Sequence, residues 1–513
     1  MLKANILVNL NTMKRRLLFA LPLISILLTG CGFGGTRVID YKSTEPTPID
    51  PYQPDEGDGY KKYSEFDYNL QDVKDTMEMG CLSSKGDSYL LVVPVQFKNT
   101  SWTEVKLEVI RRGFFGKADE TSWHSVSSFY EEASYHQLHI KGELAPVLDV
   151  PVTKDEASLN VVDGSPYPDE VVVEYFEKSE SYKELRKNYD KNGDGYIDSV
   201  AFIYPNSVDP DKGYWAWVYW NDEDANKDLP VVNSYLWMSY YFFSGSQYSG
   251  YGAGIDAHTA IHESGHLMGL DDYYQYDEDQ KFDPSGGIEM HSYNIGDENI
   301  YSKFALGWAN PYYVKTDKSV TLKLRSSAYY GDSIIINDSW NENSMDEYLM
   351  IEYYTPEGLN FKDAYEGYEP NVGSGASRMY TTHGFRIYHI DSRIVELDTR
   401  GAAKGYVNTL PEEGIYTVGA SNSPSRSYLS SFLGKQKAID YKYVHLLESN
   451  GINTFKTGSF ASNKTLFKQG SSFVATSEFF PNGTKFNNGE EVGYRIDIGE
   501  CLDNGGEITI TRI

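Results

Sequence analysis

The run Ala257-His258-Thr259-Ala260-Ile261-His262-Glu263-Ser264-Gly265-His266-Leu267-Met268-Gly269-Leu270-Asp271-Asp272 constrains this chain more than any other stretch. His262 and His266 are four apart, so on a helix they lie one above the other on the same face. Two neutral imidazoles placed in this way can converge on one zinc ion. Glu263 lies beside the pair, where it can take a proton from a zinc-bound water whose pKa the metal has lowered to about 7. Asp256 suits an N-cap, and Gly269 stands where a helix stops in a left-handed residue and the chain reverses. That reversal carries Asp272 back towards the ion as an oxygen ligand. Three protein ligands with one open position is the composition of a catalytic zinc site and not of a structural one. The bland alternative is an amphipathic helix with incidental histidines. His258, one turn before His262, is too far along the helix to reach the same ion easily and reads as a supporting or partly exposed residue. His124, His136, His139, His291, His383, His389 and His445 show no ligand spacing and default to structural roles.

Charge narrows the partners. The chain has 74 acidic and 46 basic residues, a formal net charge of −28. A surface of that sign repels phosphate backbones, so nucleic acid is not expected as a partner. There is no Walker loop, no dinucleotide fingerprint and no Cys-x-x-Cys pair. The three cysteines, at 31, 81 and 501, are too few for a disulfide framework. For Cys81 three readings stay open: a latency ligand reaching the zinc from a propeptide, a partner for Cys501, or a buried thiol.

At the N-terminus, Lys14, Arg15 and Arg16 precede an uncharged, mostly apolar run from Leu17 to Leu28. The run is shorter than the roughly 20 residues of a transmembrane helix and reads as a signal peptide. It ends in Leu28-Thr29-Gly30-Cys31, which resembles the lipobox of bacterial lipoproteins. The resemblance implies a lipidated Cys31 as the mature N-terminus and an extracytoplasmic, lipid-anchored location at the cell membrane. A secretory signal cleaved elsewhere, with Cys31 incidental, is the alternative. Residues after Cys31 are rich in Pro, Asp, Gly and Thr and read as a solvated tether.

Further along, Tyr89 to Phe97 is a β-branched and aromatic run expected of a strand buried on both faces. Helices are expected from about Trp123 to Ala133 and from about Ser179 to Tyr189, with strands at Gln137 to Leu144, Val200 to Tyr204 and Ser234 to Phe243. After Pro311 short strands separated by polar turns take over: Val320 to Leu324, Ser333 to Ile336, Tyr348 to Tyr353, Phe385 to Ile390, Tyr494 to Ile498 and Ile508 to Ile513. The fold class so read is α+β.

His262-Glu263-Ser264-Gly265-His266-Leu267-Met268-Gly269-Leu270-Asp271-Asp272 resembles the extended zinc motif of immune inhibitor A-type bacterial metalloproteases. Gly286-Gly287-Ile288-Glu289-Met290 is similar to that family's Met-turn, and the similarity continues through Tyr301-Ser302-Lys303-Phe304-Ala305-Leu306-Gly307-Trp308. Ser125 to Leu144 and Gly384 to Asp391 resemble its flanking segments. The sequence departs from the family at Asp271, which replaces a common proline and leaves two adjacent carboxylates; the spacing favours Asp272 as the ligand. What the resemblance implies is a metzincin-like zinc metalloprotease catalytic domain followed by a mostly β, sandwich-like domain. It also implies hydrolysis of protein or peptide substrates with Glu263 as general base, and Tyr293 as either an oxyanion donor or a packed rim residue. A thermolysin-like site would need a Glu from a later helix, for which Glu278 and Glu289 are available, but Gly269 and the Pro284-Ser285-Gly286-Gly287 stretch argue against such a helix. The expected organisation is a signal peptide at 1–30, a flexible tether at 31–65, a propeptide or N-terminal segment at 66–86, the catalytic domain at 87–314 and the β-rich domain at 315–513. The alternative from another class is a catalytically silent surface lipoprotein whose β domain binds glycan or protein.

A second ion site is expected at Asp190-Lys191-Asn192-Gly193-Asp194-Gly195-Tyr196-Ile197-Asp198. It follows the first nine positions of an EF-hand-type calcium loop, with oxygen donors at Asp190, Asn192, Asp194, the Tyr196 carbonyl and Asp198. Position twelve is Ala201, not Glu, so a structural Ca²⁺ site is the reading. The alternative is an Asp/Asn/Gly turn satisfied by its own backbone.

Overall fold

The computed structural model describes residues 54–513 apart from 78, 80, 81, 163, 222, 244–253, 278, 279, 294, 295 and 366–379. The signal segment, Cys31, Cys81 and Glu278 lie outside the described residues. The chain is a mixed α/β protein with two large sheets, a four-stranded sheet and smaller ribbons. Among the described residues no helix is long and apolar enough to cross a membrane.

The apolar run that opens the first sheet becomes the strand Gly86–Phe97. It lies inside a sheet of order Leu138–Leu144, Gly86–Phe97, Val200–Tyr204, Ser234–Ser239, Trp217–Trp220. Neighbours are parallel except for the last, antiparallel strand. Helices Glu104–Phe115 and Val126–Ala133 make the first crossover, as parallel pairing requires. Strand alternation sorts the side chains. Leu90, Val92, Ala201, Ile203, Leu236 and Met238 enter one core, and Leu91, Val93, Phe202, Tyr204, Tyr235 and Trp237 enter another.

The second large sheet runs Glu56–Gly57, Tyr60–Lys62, Asn310–Val314, Asp332–Ile336, Glu347–Tyr354, Gly384–Asp391, Val444–Leu446. On one face Ile334, Ile336, Leu349, Ile351 and Ile387 pack with Leu322, Leu324, Ile496, Ile508 and Ile510 of the four-stranded sheet. On its other face Ile335, Tyr348, Met350, Tyr388 and Ile390 join the core that the first sheet also faces. Ala260, Ile261 and Leu267 belong to that same core. The histidine-bearing helix is thus packed into apolar material supplied by both large sheets.

Three expectations change. A boundary between 314 and 315 falls at the end of Asn310–Val314, which pairs in parallel with Asp332–Ile336; because both sheets face one core, the chain does not divide there. The tether does not reach residue 65, because Tyr60, Lys61 and Lys62 pair with Val314, Tyr313 and Tyr312. A three-residue strand near the sheet's edge, flanked only by Glu56–Gly57 on its outer side, needs only backbone pairing and a few anchors, here Tyr63 edge-on to Trp340 at 5.1 Å, so it leaves no apolar periodicity in the sequence. Within 66–86 the described residues contribute to the core: Leu70, Val73 and Leu82 are fully buried, and Asn69 caps the helix Leu70–Asp75. A fourth difference is local. The helix expected at 179–189 is a short turn followed by Lys183–Asn188, and the main helix precedes it at Pro168–Lys178. Its Val171-Val172-Val173 run has strand character, but Pro168 at the first position and Asp169 and Glu170 in the first turn favour a helix start.

Candidate metal centre

Helix His258–Leu267 is buried along its whole length. That excludes the amphipathic surface helix, which would show a polar face to solvent. The N-cap is Ala257 and not Asp256 as expected; Asp256, one residue earlier, still accepts the His258 backbone N–H on its Oδ1 at 3.0 Å. At the other end Gly269 takes φ +98°. Its N–H donates to His266 O at 2.9 Å, and the Leu270 N–H donates to Gly265 O at 3.1 Å. This is the Schellman arrangement, and it turns the chain back on the helix.

After the turn the two adjacent carboxylates separate. Asp271 is partly exposed, with its Oδ1 3.5 Å from Lys74 Nζ. Asp272 is buried, with its Oδ1 2.9 Å from His262 Nε2 and 3.3 Å from His266 Nε2. The two Nε2 atoms are 3.1 Å apart. For ligands about 2.0–2.1 Å from a tetrahedral metal, the ligand-to-ligand edge is about 3.3 Å, so this triangle has a fitting size.

Its chemistry fits as well. His262 Nδ1 is 2.8 Å from Met290 O, and His266 Nδ1 is 2.7 Å from Leu270 O. A carbonyl only accepts, so both Nδ1 atoms carry a proton, and each ring turns its Nε2 inward, where a metal ion would meet a lone pair. Asp272 Oδ1 has no hydrogen-bond donor, while Tyr276 Oη donates to its Oδ2. Three lone-pair atoms packed this closely repel one another unless positive charge lies among them. Protonation answers the same demand: burial opposes a charged His266, but the Asp272 carboxylate overrides it and pushes that ring up to about 10. Burial likewise opposes an ionised Asp272, but His266 and His262 hold it well below the usual carboxylate range. Glu263, next to His262, is buried; burial raises its pKa, the two histidines lower it, and the net shift is upward.

The structure adds a residue that the spacing did not reveal. His291, fully buried, stacks on the His262 ring at 4.9 Å and 28°. Its Nε2 is 3.4 Å from Glu298 Oε1. His262, His266, Asp272 and His291 each offer a ligand atom within 4.8 Å of the others, and this buried cluster could hold a metal ion. A clue existed in the sequence. A Cβ on Gly265 would lie 2.0 Å from His291 Nε2, so the glycine inside the helix marks a close approach from outside it.

The remaining candidates are placed as follows. His258 is buried and stacked on Trp123 at 4.6 Å and 7°, which makes it a packing residue and not a partly exposed one. Tyr293 lies at the end of the short helix Met290–Tyr293, its ring 5.5 Å from Phe460. Glu289, at φ +78°, accepts from the His291 backbone N–H and from Asn299 Nδ2 at 3.2 Å, and it is not in the cluster. Cys501 lies half-buried on Tyr494–Leu502.

In the Asp190 loop the acidic groups bind their own backbone. Asp190 Oδ1 accepts from Gly193 N at 2.8 Å and Asp194 N at 3.1 Å, and Oδ2 from Gly195 N at 3.2 Å. Asp194 Oδ1 accepts from Tyr196 N, Asp198 Oδ1 from Lys191 N, and Asn192 Nδ2 donates to Asp194 Oδ2. Asp190, Asp194 and Asp198 do not form a group with ligand atoms within 4.8 Å of one another. These bonds close an Asp/Asn/Gly turn with Gly193 and Gly195 at positive φ.

Compared with models of known protein families and with curated proteins, the chain matches none.

Proposed function

We propose that this chain is a zinc-dependent metalloendopeptidase of the immune inhibitor A type, anchored outside the cytoplasm through Cys31, that hydrolyses proteins or peptides. The carrying observation is the triangle of His262 Nε2, His266 Nε2 and Asp272 Oδ1, 2.9 to 3.3 Å on its edges, with the Glu263 carboxyl next in the chain. Two imidazoles and a carboxylate suit zinc, and three ligands leave a position for substrate.

Zinc bound there would polarise the scissile carbonyl and make water acidic enough to be deprotonated near neutral pH. Met290 O and Leu270 O hold the two rings in the tautomer that binds a cation. Tyr276 holds Asp272 in a single orientation. Glu263 receives the proton of the attacking water at its carboxylate and returns it to the departing amine nitrogen.

The test is cleavage of casein by the purified protein, with and without chelator, beside Glu263→Ala. The proposal expects loss of cleavage in both cases and zinc still bound to the variant. Equal cleavage by Glu263→Ala defeats it.

A further inference from the structure

The turn that presents Asp272 is gripped by a segment far away in sequence. Leu82 N–H donates to Leu267 O at 2.8 Å. Gln71 Nε2 donates to Leu82 O at 2.7 Å and reaches Met268 O at 3.5 Å, while its Oε1 accepts from Ser84 N at 3.0 Å. Leu70 and the Lys74 stem lie against Gly269, where an added Cβ would meet Lys74 Cγ at 3.2 Å and Leu70 Cγ at 3.7 Å. Lys74, itself buried, ends with its ammonium 3.5 Å from Asp271 Oδ1.

The chemical problem at this turn is the choice between neighbours. Asp271 and Asp272 are both carboxylates one residue apart, and both are attracted to a cation held by His262 and His266. Backbone geometry alone does not make one of them inert. Lys74 supplies a competing positive charge on the far side of the turn, and Gln71 fixes the carbonyl at Met268 that precedes it.

We propose that the helix Leu70–Asp75 is part of the metal centre, with Lys74 as a positioning residue that occupies Asp271 so that Asp272 alone faces the histidines. This rests on the metal reading given above. It assigns Leu70, Gln71, Lys74 and Leu82 a role in building the site, opposite to that of a propeptide that blocks it.

The test uses Co²⁺, whose visible absorption reports the ligand set, together with chelator competition, and needs no turnover. Lys74→Met should weaken cobalt retention about tenfold, the low end for an outer-shell partner, and change the visible spectrum as Asp271 competes. Lys74→Met/Asp271→Asn should return both to within about twofold of the parent, since the competing carboxylate is gone. Lys74→Glu/Asp271→Lys, which restores the pair with its charges exchanged, should do the same and guards against a Lys74→Met chain that does not fold. Unchanged retention in a folded Lys74→Met, or a double variant as weak as the single one, overturns the proposal and leaves Lys74 a packing residue. A parent chain that binds no cobalt overturns the metal reading along with it.

Discussion

Gly265→Ala sets two well-measured effects against each other. In a helix interior alanine is favoured over glycine by about 0.8–1.0 kcal/mol, so a helix considered alone is expected to gain stability. The position does not allow it. The added Cβ would lie 2.0 Å from His291 Nε2, 2.4 Å from its Cε1 and 2.8 Å from Tyr130 Oη. Ordinary carbon contacts are about 3.5–4.0 Å, so the helix and His291 must part by roughly 1.5 Å. His291 cannot swing away freely, because it is fully buried and packed against His262, His266 and Tyr273. Overpacking of this kind costs about 1–3 kcal/mol and exceeds the helix gain. The net expectation is a loss of up to about 2 kcal/mol in urea unfolding of the chelated protein. Metal retention should fall too, since Met290 O, which orients His262, immediately precedes His291. A Gly265→Ala chain as stable as the parent, with parental metal retention, refutes the placement of His291 behind the helix.

Tyr276→Phe removes the donor to Asp272 Oδ2 and should weaken metal retention about tenfold in chelator competition with little change in the metal-free melting temperature. Asp169 is fully buried and accepts from Trp217 and Tyr235, and burial pushes its carboxyl up to about 6. Between its ordinary pKa and about 6 the folded chain holds a proton that the unfolded chain has released. This contribution therefore falls as pH rises through that window, by up to about 3 kcal/mol; comparing the pH dependence of stability in Asp169→Asn with the parent should reveal the missing slope. A chain beginning at Asp87 should melt well below the full protein and fail to retain zinc, because it lacks Leu70, Val73, Leu82 and the contacts to the turn; cleavable activity with normal stability would restore a propeptide reading.

The site was legible in the sequence where spacing along one helix carries the geometry. His262, Glu263, His266 and the reversal at Gly269 are local, so four-residue periodicity and one positive-φ glycine suffice. His291 was not legible, because its approach depends on the turn through Gly286, Gly287 and Glu289, all at positive φ, and on tertiary packing that no spacing encodes. The strands after residue 311 were readable from their alternation. The short strand Tyr60–Lys62 was not, since it pairs with Tyr312 to Val314, some 250 positions away in the chain. The same holds for Leu70–Asp75, a helix too short to show a period and held by its packing.

Asn422 gives the fold an order in time. Its Nδ2 donates to Tyr273 O at 2.7 Å, a partner 149 positions earlier, and Ser423 Oγ accepts from Tyr276 N at 2.8 Å. The segment that bears Tyr276, and with it the grip on Asp272, therefore finds this support only after the chain has been made as far as Ser423. A nascent chain carries both histidines long before it can hold the carboxylate in place. A segment made about 150 residues after the histidines thus completes the site, and a ribosome that stalls before it releases a chain whose site is unfinished.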